Sequence, residues 1–488
     1  MPRDNLILTF LFIILILFGV WRLPYSPATW FDEGINLGIA KGLINHGVFS
    51  LEIAPGEFVE TRQFLITSNY PVLLPAALSM KLFGLNLVAA RAPMVLFLFL
   101  FALAAYFLVK KLYGKTAAIM SVALIVSFTP FYGNGKNVLG EIPGLFYFLC
   151  ALLILGRTLA DENSRRGRAP ESARAGIRNF QMREFGQLFL AGLFIGLSAA
   201  TKPFFLIVPA AVWAGEIACR RGDFKILLKR LLLVAFGAFP PLVFWFYTIL
   251  PSFSLAGLFS AFNYYSNSYA SVSFGGLIFT NFLRFFTEST PIHFLLLFVA
   301  SAAFLIWNKK NGEKIKEAEI IFSVFILLAL AFYLKTPGWY RYFFPAHMVL
   351  FLVFPAAALR LVGRKTAVFL IALLFIFQTS YTISQRNSSL YYSDEAEIFS
   401  EYVAETTAPD DKIFIINAPS AAFLIEGRQV YQYLQINPVL SFGKTDIENY
   451  NYVAVSGEGV DIFSDALKAG YKIQKQIGRY SLYRKLSQ

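Results

Sequence analysis

NLILTFLFIILILFGVW, Asn5–Trp21, and WFDEGINLGIAKGL, Trp30–Leu43, follow one another at the start of the chain. The first carries no charge and approaches the roughly 20 apolar residues that carry a helix across a bilayer. The second sets two adjacent acids, Asp32 and Glu33, just beyond that span. Ionisable residues are costly near a bilayer, so an acidic pair placed there in a chain of spans points to chemistry.

Further uncharged runs lie at Ala92–Val109, Thr116–Gly135, Ile142–Gly156, Phe185–Thr201, Pro203–Gly215, Leu231–Leu250, Ser289–Asn308, Ile320–Leu334, Tyr342–Leu359 and Thr366–Gln385. With the first run they predict about eleven transmembrane helices and an all-α polytopic membrane protein. Several runs are short for a straight span, those at Pro203 and Ile320 most of all. Composition agrees: 57% of the 488 residues are hydrophobic and 15% charged, against about 25% charged in an average soluble domain. The first run lacks a small-residue cleavage site and reads as a retained anchor.

Loop charge gives an orientation. With a cytoplasmic N-terminus, 23 of the 43 basic residues fall in cytoplasmic loops, 9 in the tail after Asn387 and 11 elsewhere. That asymmetry follows the positive-inside rule. The net charge of +13 then reports topology and anionic lipid, and nucleic acid is not expected as a partner. The protein is expected in the cell (inner or plasma) membrane. Cys150 and Cys219 give neither a disulfide framework nor a metal cluster.

The expected domains are a transmembrane catalytic part, residues 1–385, and a soluble part, residues 386–488. The charged insert Asp161–Glu184 reads as a cytoplasmic loop. In the tail, KIFIIN (Lys412–Asn417) and YNYVAVS read as strands, SAAFLIEG and Ser464–Ala469 as short helices, and the ending YKIQKQIGRYSLYRK as a hairpin. The tail is therefore expected to be an α/β domain, placed outside the cytoplasm by eleven spans.

The same topology gathers the unusual polar residues on one side. The first outer loop, residues 22–87, holds Asp32, Glu33, Arg62, Asn69 and Tyr70. The second holds Lys136, Asn137 and Glu141, the third Lys202, and the fifth Lys335, Trp339, Arg341 and Tyr342. Tyr264, Tyr265 and Tyr269 sit in the fourth, where they could stack on sugar or prenyl units or anchor at the headgroups. From Gly34 to Ile44 apolar residues recur at helical spacing, which predicts an interfacial helix with Asp32 at its amino end. A purely structural role for Asp32 would be to cap that helix, for Glu141 to end one, and for Arg91 and Lys335 to snorkel to the interface.

A membrane enzyme facing away from nucleotide sugars needs a donor dissolved in the bilayer, and a polyprenyl-phosphate sugar meets that need. Displacement at its anomeric carbon requires a base for the acceptor proton and cations for the departing phosphate. Asp32 suits the first role, and Arg341 or Lys202 the second.

These stretches resemble a known family. WFDEGINLGIAKGL followed by SNYPVLLPAALSMKLFGLNLVAARAP is similar to the opening of the C-type glycosyltransferases, in the branch of protein O-mannosyltransferases and bacterial lipid A aminoarabinose transferases. GKNVLGEIPGLFYFL resembles that branch's second acidic motif, GLSAATKPFFLIVP its Lys-containing turn, and GWYRYFFPAH its late Arg-Tyr-x-x-Pro motif. The resemblance covers residues 1 to 385 and implies the C-type fold. It implies Asp32 as catalytic base, Glu33 as its neighbour and Glu141 as second acid. Arg62, Lys202, Arg341 and Tyr342 are the candidates for donor phosphate; Asn69, Tyr70, Lys136, Asn137, Tyr264 and Tyr265 are those for the substrate cavity. Where relatives often carry Lys-Pro-Pro this chain has Asn69-Tyr70-Pro71, so the cation of that turn is absent.

No metal and no other cofactor is expected to be required, because related single-sugar transferases generally work without one. His46, His293 and His347 are dispersed in sequence and read as polar anchors. The function expected is transfer of one sugar, with inversion, from a polyprenyl phosphate to a lipid, glycan or protein acceptor. The alternatives are a transporter or flippase of lipid-linked sugars, though no internal repeat is evident, and an oligosaccharide transferase, whose Asp-x-Asp metal site is missing from the first outer loop.

Overall fold

The computed structural model describes residues 3–59, 68–165, 173–249, 274–385, 392–437, 440–457 and 463–486, except 221 and 337, with a few positions between 254 and 259. The chain is mostly helical. Helix α1 (Arg3–Val20) is followed by α2 (Phe31–His46), a small hairpin of β1 (Glu52–Ala54) and β2 (Glu57–Phe58), and α3 (Tyr70–Phe83). Then come α4 (Leu87–Tyr113), α5 (Lys115–Ser127), α6 (Thr129–Gly135), α7 (Glu141–Arg165), α8 (Ala173–Thr201), α9 (Ile207–Arg220) and α10 (Phe224–Ile249). Helices α11 (Phe274–Thr287), α12 (Ser289–Lys310), α13 (Glu317–Lys335), α14 (Phe344–Val362) and α15 (Arg364–Ser384) complete the bundle.

Among the described residues, eight helical segments are long and apolar enough to cross a membrane, and a bent pair makes a ninth. Asp4–Val20, Tyr70–Phe83 and Glu141–Gly156 are shorter apolar helices. Each of the eleven apolar runs of the sequence corresponds to a helix, including the short ones at Pro203 and Ile320. Three helices of the bundle lie outside those runs: α2, which its apolar spacing predicts, α3, within the long first loop, and α11, just past the tyrosine-rich loop.

The bent pair is α5 and α6, which meet at 67°. Pro130 stands in the first turn of α6, and a proline there lacks an N–H and collides with the carbonyl four residues back, so α5 cannot continue. Carbonyls freed at the break find side chains: Tyr132 donates to Val126 at 2.7 Å, and Thr382 of α15 donates to Ser127 at 3.1 Å. This break turns residues 136–141 back toward the bundle.

After the bundle come α16 (Glu395–Thr406), β3 (Lys412–Ile416), α17 (Pro419–Leu424), β4 (Gln429–Asn437), β5 (Leu440–Gly443), β6 (Tyr452–Ser456), α18 (Ser464–Gly470), β7 (Tyr471–Ile477) and β8 (Tyr480–Lys485). The strands form one sheet in the order β5-β4-β3-β6-β8-β7, with β3 parallel to β4 and β6 and the other pairs antiparallel. Period-two alternation sends Ile413 and Ile415 to one face, with Phe399 and Ala421, and Phe414 and Ile416 to the other, with Phe463 and Leu467. Phe423 and Leu434 join the large core of the helical bundle instead, so the sheet is packed onto the bundle through apolar side chains.

Candidate active site

Helix α2 begins with Trp30 at its N-cap position, and no side chain caps it. Asp32 is the second helical residue, so the structural capping role does not apply. Its carboxylate pairs with Arg341, delivered by the 3-10 turn Tyr340–Tyr342 just before α14. The guanidinium lies over the rings of Trp339 at 4.5 Å, Tyr342 at 5.2 Å and Trp30 at 5.8 Å, a cage suited to a planar cation. Burial opposes its charge, but Asp32, then Tyr342 and Glu141, hold its pKa above that of a free arginine.

Glu141 opens α7, and its Oε1 pairs with Lys202, which stands between α8 and the 3-10 turn Pro203–Leu206. Its neighbour Gly144 packs against the ring of Phe205, where an added Cβ would lie 2.4 Å away. Asp32, Arg341, Glu141 and Lys202 therefore form a chain of alternating charge. Two of its atoms, Glu141 Oε2 and Arg341 Nε, are buried without hydrogen-bond partners, as are both amide atoms of Asn137, four residues before Glu141. Asn36, one turn past Asp32, donates to Val138 O at 2.7 Å while its Oδ1 is also unpartnered.

Glu33 points elsewhere. It is fully buried, and Arg91 grips it with two bonds, Nε to Oε1 at 2.8 Å and Nη2 to Oε2 at 2.6 Å. Arg91 also donates to the carbonyls of Leu23, Pro24 and Pro27 at 2.8, 3.1 and 3.0 Å, and Val138 N donates to Glu33 Oε1 at 3.1 Å. This pair ties α4, the first loop and the 136–141 segment together. Arg91 is not a snorkelling residue, since none of its surface is exposed; Lys335 is exposed.

Other candidates are also engaged. Lys136 donates to the carbonyls of Trp21 at 2.9 Å and Phe18 at 3.4 Å, closing the end of α1. Asn69 Oδ1 caps α3 through Tyr70 N at 2.6 Å and accepts from Thr248 at 3.0 Å, while the Asn69 N–H reaches Thr201 O at 3.1 Å, next to Lys202. Tyr70 donates to Pro241 O at 3.2 Å and meets Phe244 edge-on. These residues brace the wall between α3 and α10. Arg62, Tyr264, Tyr265 and Tyr269 lie outside the described residues.

Helix α2, expected at the membrane interface, is covered by protein. Ile35, Leu37, Ile39 and Ala40 are buried, and an added Cβ on Gly34 would lie 2.4 Å from the backbone nitrogen of Ser420 in α17. Lys41 donates to Phe423 O at 3.3 Å, and Arg479 to Thr29 O at 2.9 Å. Nor are the histidines all apart: His347 meets His293 at 3.1 Å and the Tyr340 hydroxyl at 3.0 Å. Positions 54 residues apart gave no local signal of that meeting. Among the described residues no three His, Cys, Asp or Glu side chains gather as a metal would need.

Residues 72–167 match the family model described as dolichyl-phosphate-mannose-protein mannosyltransferase. The whole chain is similar to ArnT from Cupriavidus metallidurans bound to undecaprenyl phosphate, with a TM-score of 0.63 and 12% identity over 99% of this chain and 98% of that one. It is also similar to the Archaeoglobus fulgidus oligosaccharyltransferase in complex with Zn and sulfate, with a TM-score of 0.58 and 16% identity over 97% of this chain and 73% of that one. No curated protein sequence matches it. A bundle of apolar helices closed by a small α/β sheet, matching ArnT over nearly its full length, gives this chain the fold of the C-type glycosyltransferases.

Proposed function

We propose that the chain moves a single sugar from a polyprenyl-phosphate donor to a lipid, glycan or protein acceptor on the extracytoplasmic face, with inversion at the anomeric carbon. Residues 1–385 would carry the chemistry, and residues 386–488 would stand over it outside the cytoplasm, in the orientation that the 23 basic residues of the opposite loops favour. One observation carries the reading: the pairing of Asp32 with Arg341, beside Glu141 and Lys202. Base and phosphate-binding cation are held at one place.

In the reaction, Asp32 takes the proton of the acceptor hydroxyl as its oxygen attacks the anomeric carbon. The sugar–phosphate bond breaks, and its electron pair leaves with the polyprenyl phosphate. Arg341 and Lys202 stabilise that leaving charge, Arg as a planar fork and Lys as a point charge. Before donor binds, Arg341 neutralises Asp32. Once phosphate engages the guanidinium, that carboxylate is freed to accept the acceptor proton. Glu141 holds Lys202 in place and leaves Oε2 for substrate.

The test is sugar transfer by purified protein in lipid, offered radiolabelled polyprenyl-phosphate sugars and a membrane extract, beside Asp32→Asn. Transfer by wild type alone supports the enzyme and its base. Equal transfer by both removes Asp32 from the mechanism, and no transfer by either moves the reading to a transporter of lipid-linked sugars.

A further inference from the structure

The turn that presents Arg341 is held from outside the site, by a helix that supplies none of the ion pairs around Asp32. Asn281 of α11 is almost wholly buried. Its Nδ2 donates to three carbonyls where α13 ends, Tyr333 O at 3.2 Å, Leu334 O at 3.2 Å and Thr336 O at 2.7 Å. An amide carries two N–H bonds, so these acceptors share them; Tyr333 O also accepts from Thr336, and the one side chain ties the carbonyls at the end of the helix together. Less than a turn further along, Arg284 donates to Gly338 O at 2.6 Å.

Gly338 shows how closely the two grip the chain. Its φ is +77°, and a Cβ there would lie 2.1 Å from Asn281 Oδ1 and 2.8 Å from Arg284 Nη1. The backbone angle favours glycine, and a Cβ there would have to push the Asn281 and Arg284 side chains aside. Arg341 follows three residues later. Its guanidinium reaches Asp32 from a buried cage, so a small rotation of the Gly338 turn would swing it away from the carboxylate. Misplacement by about 1 Å is enough to cost a site on the order of a hundredfold in rate.

We propose that Asn281, seconded by Arg284, is a positioning residue that aims Arg341 at Asp32 and at the donor phosphate. The inference rests on the phosphate-binding role given to Arg341 above. A merely structural Asn281 would weaken the fold by the same amount whatever stood at 341. A positioning Asn281 loses its effect once Arg341 is gone.

Double-mutant cycles separate the two. Asn281→Ala is combined with Arg341→Ala and read in the binding of undecaprenyl phosphate to protein in detergent, and with Asp32→Asn and read in thermal melting. Asn281→Ala alone should weaken undecaprenyl phosphate binding roughly tenfold to a hundredfold and cost nothing more in the Arg341→Ala background. Its effect on melting should likewise shrink in the Asp32→Asn background. Arg284→Ala, which removes the second grip on Gly338 O and leaves Asn281 in place, should repeat the pattern if Asn281→Ala folds poorly.

Additive losses in both cycles would overturn the positioning role, as would unchanged binding by a folded Asn281→Ala. Wild-type protein that ignores undecaprenyl phosphate would instead overturn the proposed function, and the melting cycle would still decide whether Asn281 aims Arg341.

Discussion

Two buried charge clusters sit at opposite ends of the same helices, and they differ in how completely they are paired. At the amino ends of α10 and α13 and the carboxyl end of α9, Glu216 accepts from Arg220 at 2.5 Å and from Arg230 at 3.0 Å through each of its oxygens. Glu317 accepts from Arg220 at 3.0 and 3.1 Å. Each oxygen of both carboxylates has a donor. At the other end, where α8 and α13 finish, Asp32, Arg341, Glu141 and Lys202 are paired but leave Glu141 Oε2, Arg341 Nε and the Asn137 amide unpartnered. Buried polar atoms carry a desolvation cost that a partner must offset. The first cluster gives every carboxylate oxygen a donor from the protein itself; the second leaves Glu141 Oε2 open, which is what the proposed substrate site needs.

The largest effect expected is on catalysis at the open cluster. Asp32→Asn should lower transfer by a factor of about 10²–10⁴, measured as initial rates per folded molecule. The closed cluster should behave the opposite way. Glu216→Ala leaves Arg220 and Arg230 without their shared carboxylate, and breaking a buried pair costs about 3–5 kcal/mol. Detergent-resistance or melting assays should register that loss, while the folded fraction transfers sugar at the wild-type rate. Loss of rate per folded molecule would mean that the two ends are coupled.

Glu33 sharpens the contrast, because it neighbours Asp32 in sequence yet is paired like Glu216. Glu33→Gln should destabilise by about 1–3 kcal/mol, as a buried charge-assisted bond is weakened, and should spare turnover in the folded protein. A catalytic collapse without instability would move Glu33 to the reacting side. The smallest effect belongs to the exposed pair of Lys444 with Glu57 at 2.6 Å. Lys444→Ala should change stability by less than about 1 kcal/mol, and a larger shift in melting would show that the sheet leans on the β1–β2 hairpin through that pair.

What could be read from sequence follows the range of the interaction. Apolar runs are local, so every helix that they marked is present, and the strands β3 and β6 were legible from KIFII and YVAVS. Helix α3 escapes a reading by apolar runs because it has only 14 residues, with Pro71 and Pro75 among them. The acids were visible because charge is rare in this chain; their partners were not. Arg341 stands 309 positions from Asp32, and no period or motif reports that distance. Arg91 looked like a helix-end cation and proved wholly buried because Glu33 and three carbonyls satisfy it. Lys136, expected in the substrate cavity, lost its reach to the end of α1.

The close approach of Gly34 to Ser420 bears on how this protein can change over time. The residue after the acidic pair has room for a hydrogen and nothing larger, because the backbone of the carboxyl-terminal sheet's helix lies against it. The carboxyl-terminal α/β part is thus not an interchangeable module. A chimera that joins this bundle to the tail of a relative would need both surfaces recut together, and substitutions at 34 and at 419–420 would have to be inherited as a set.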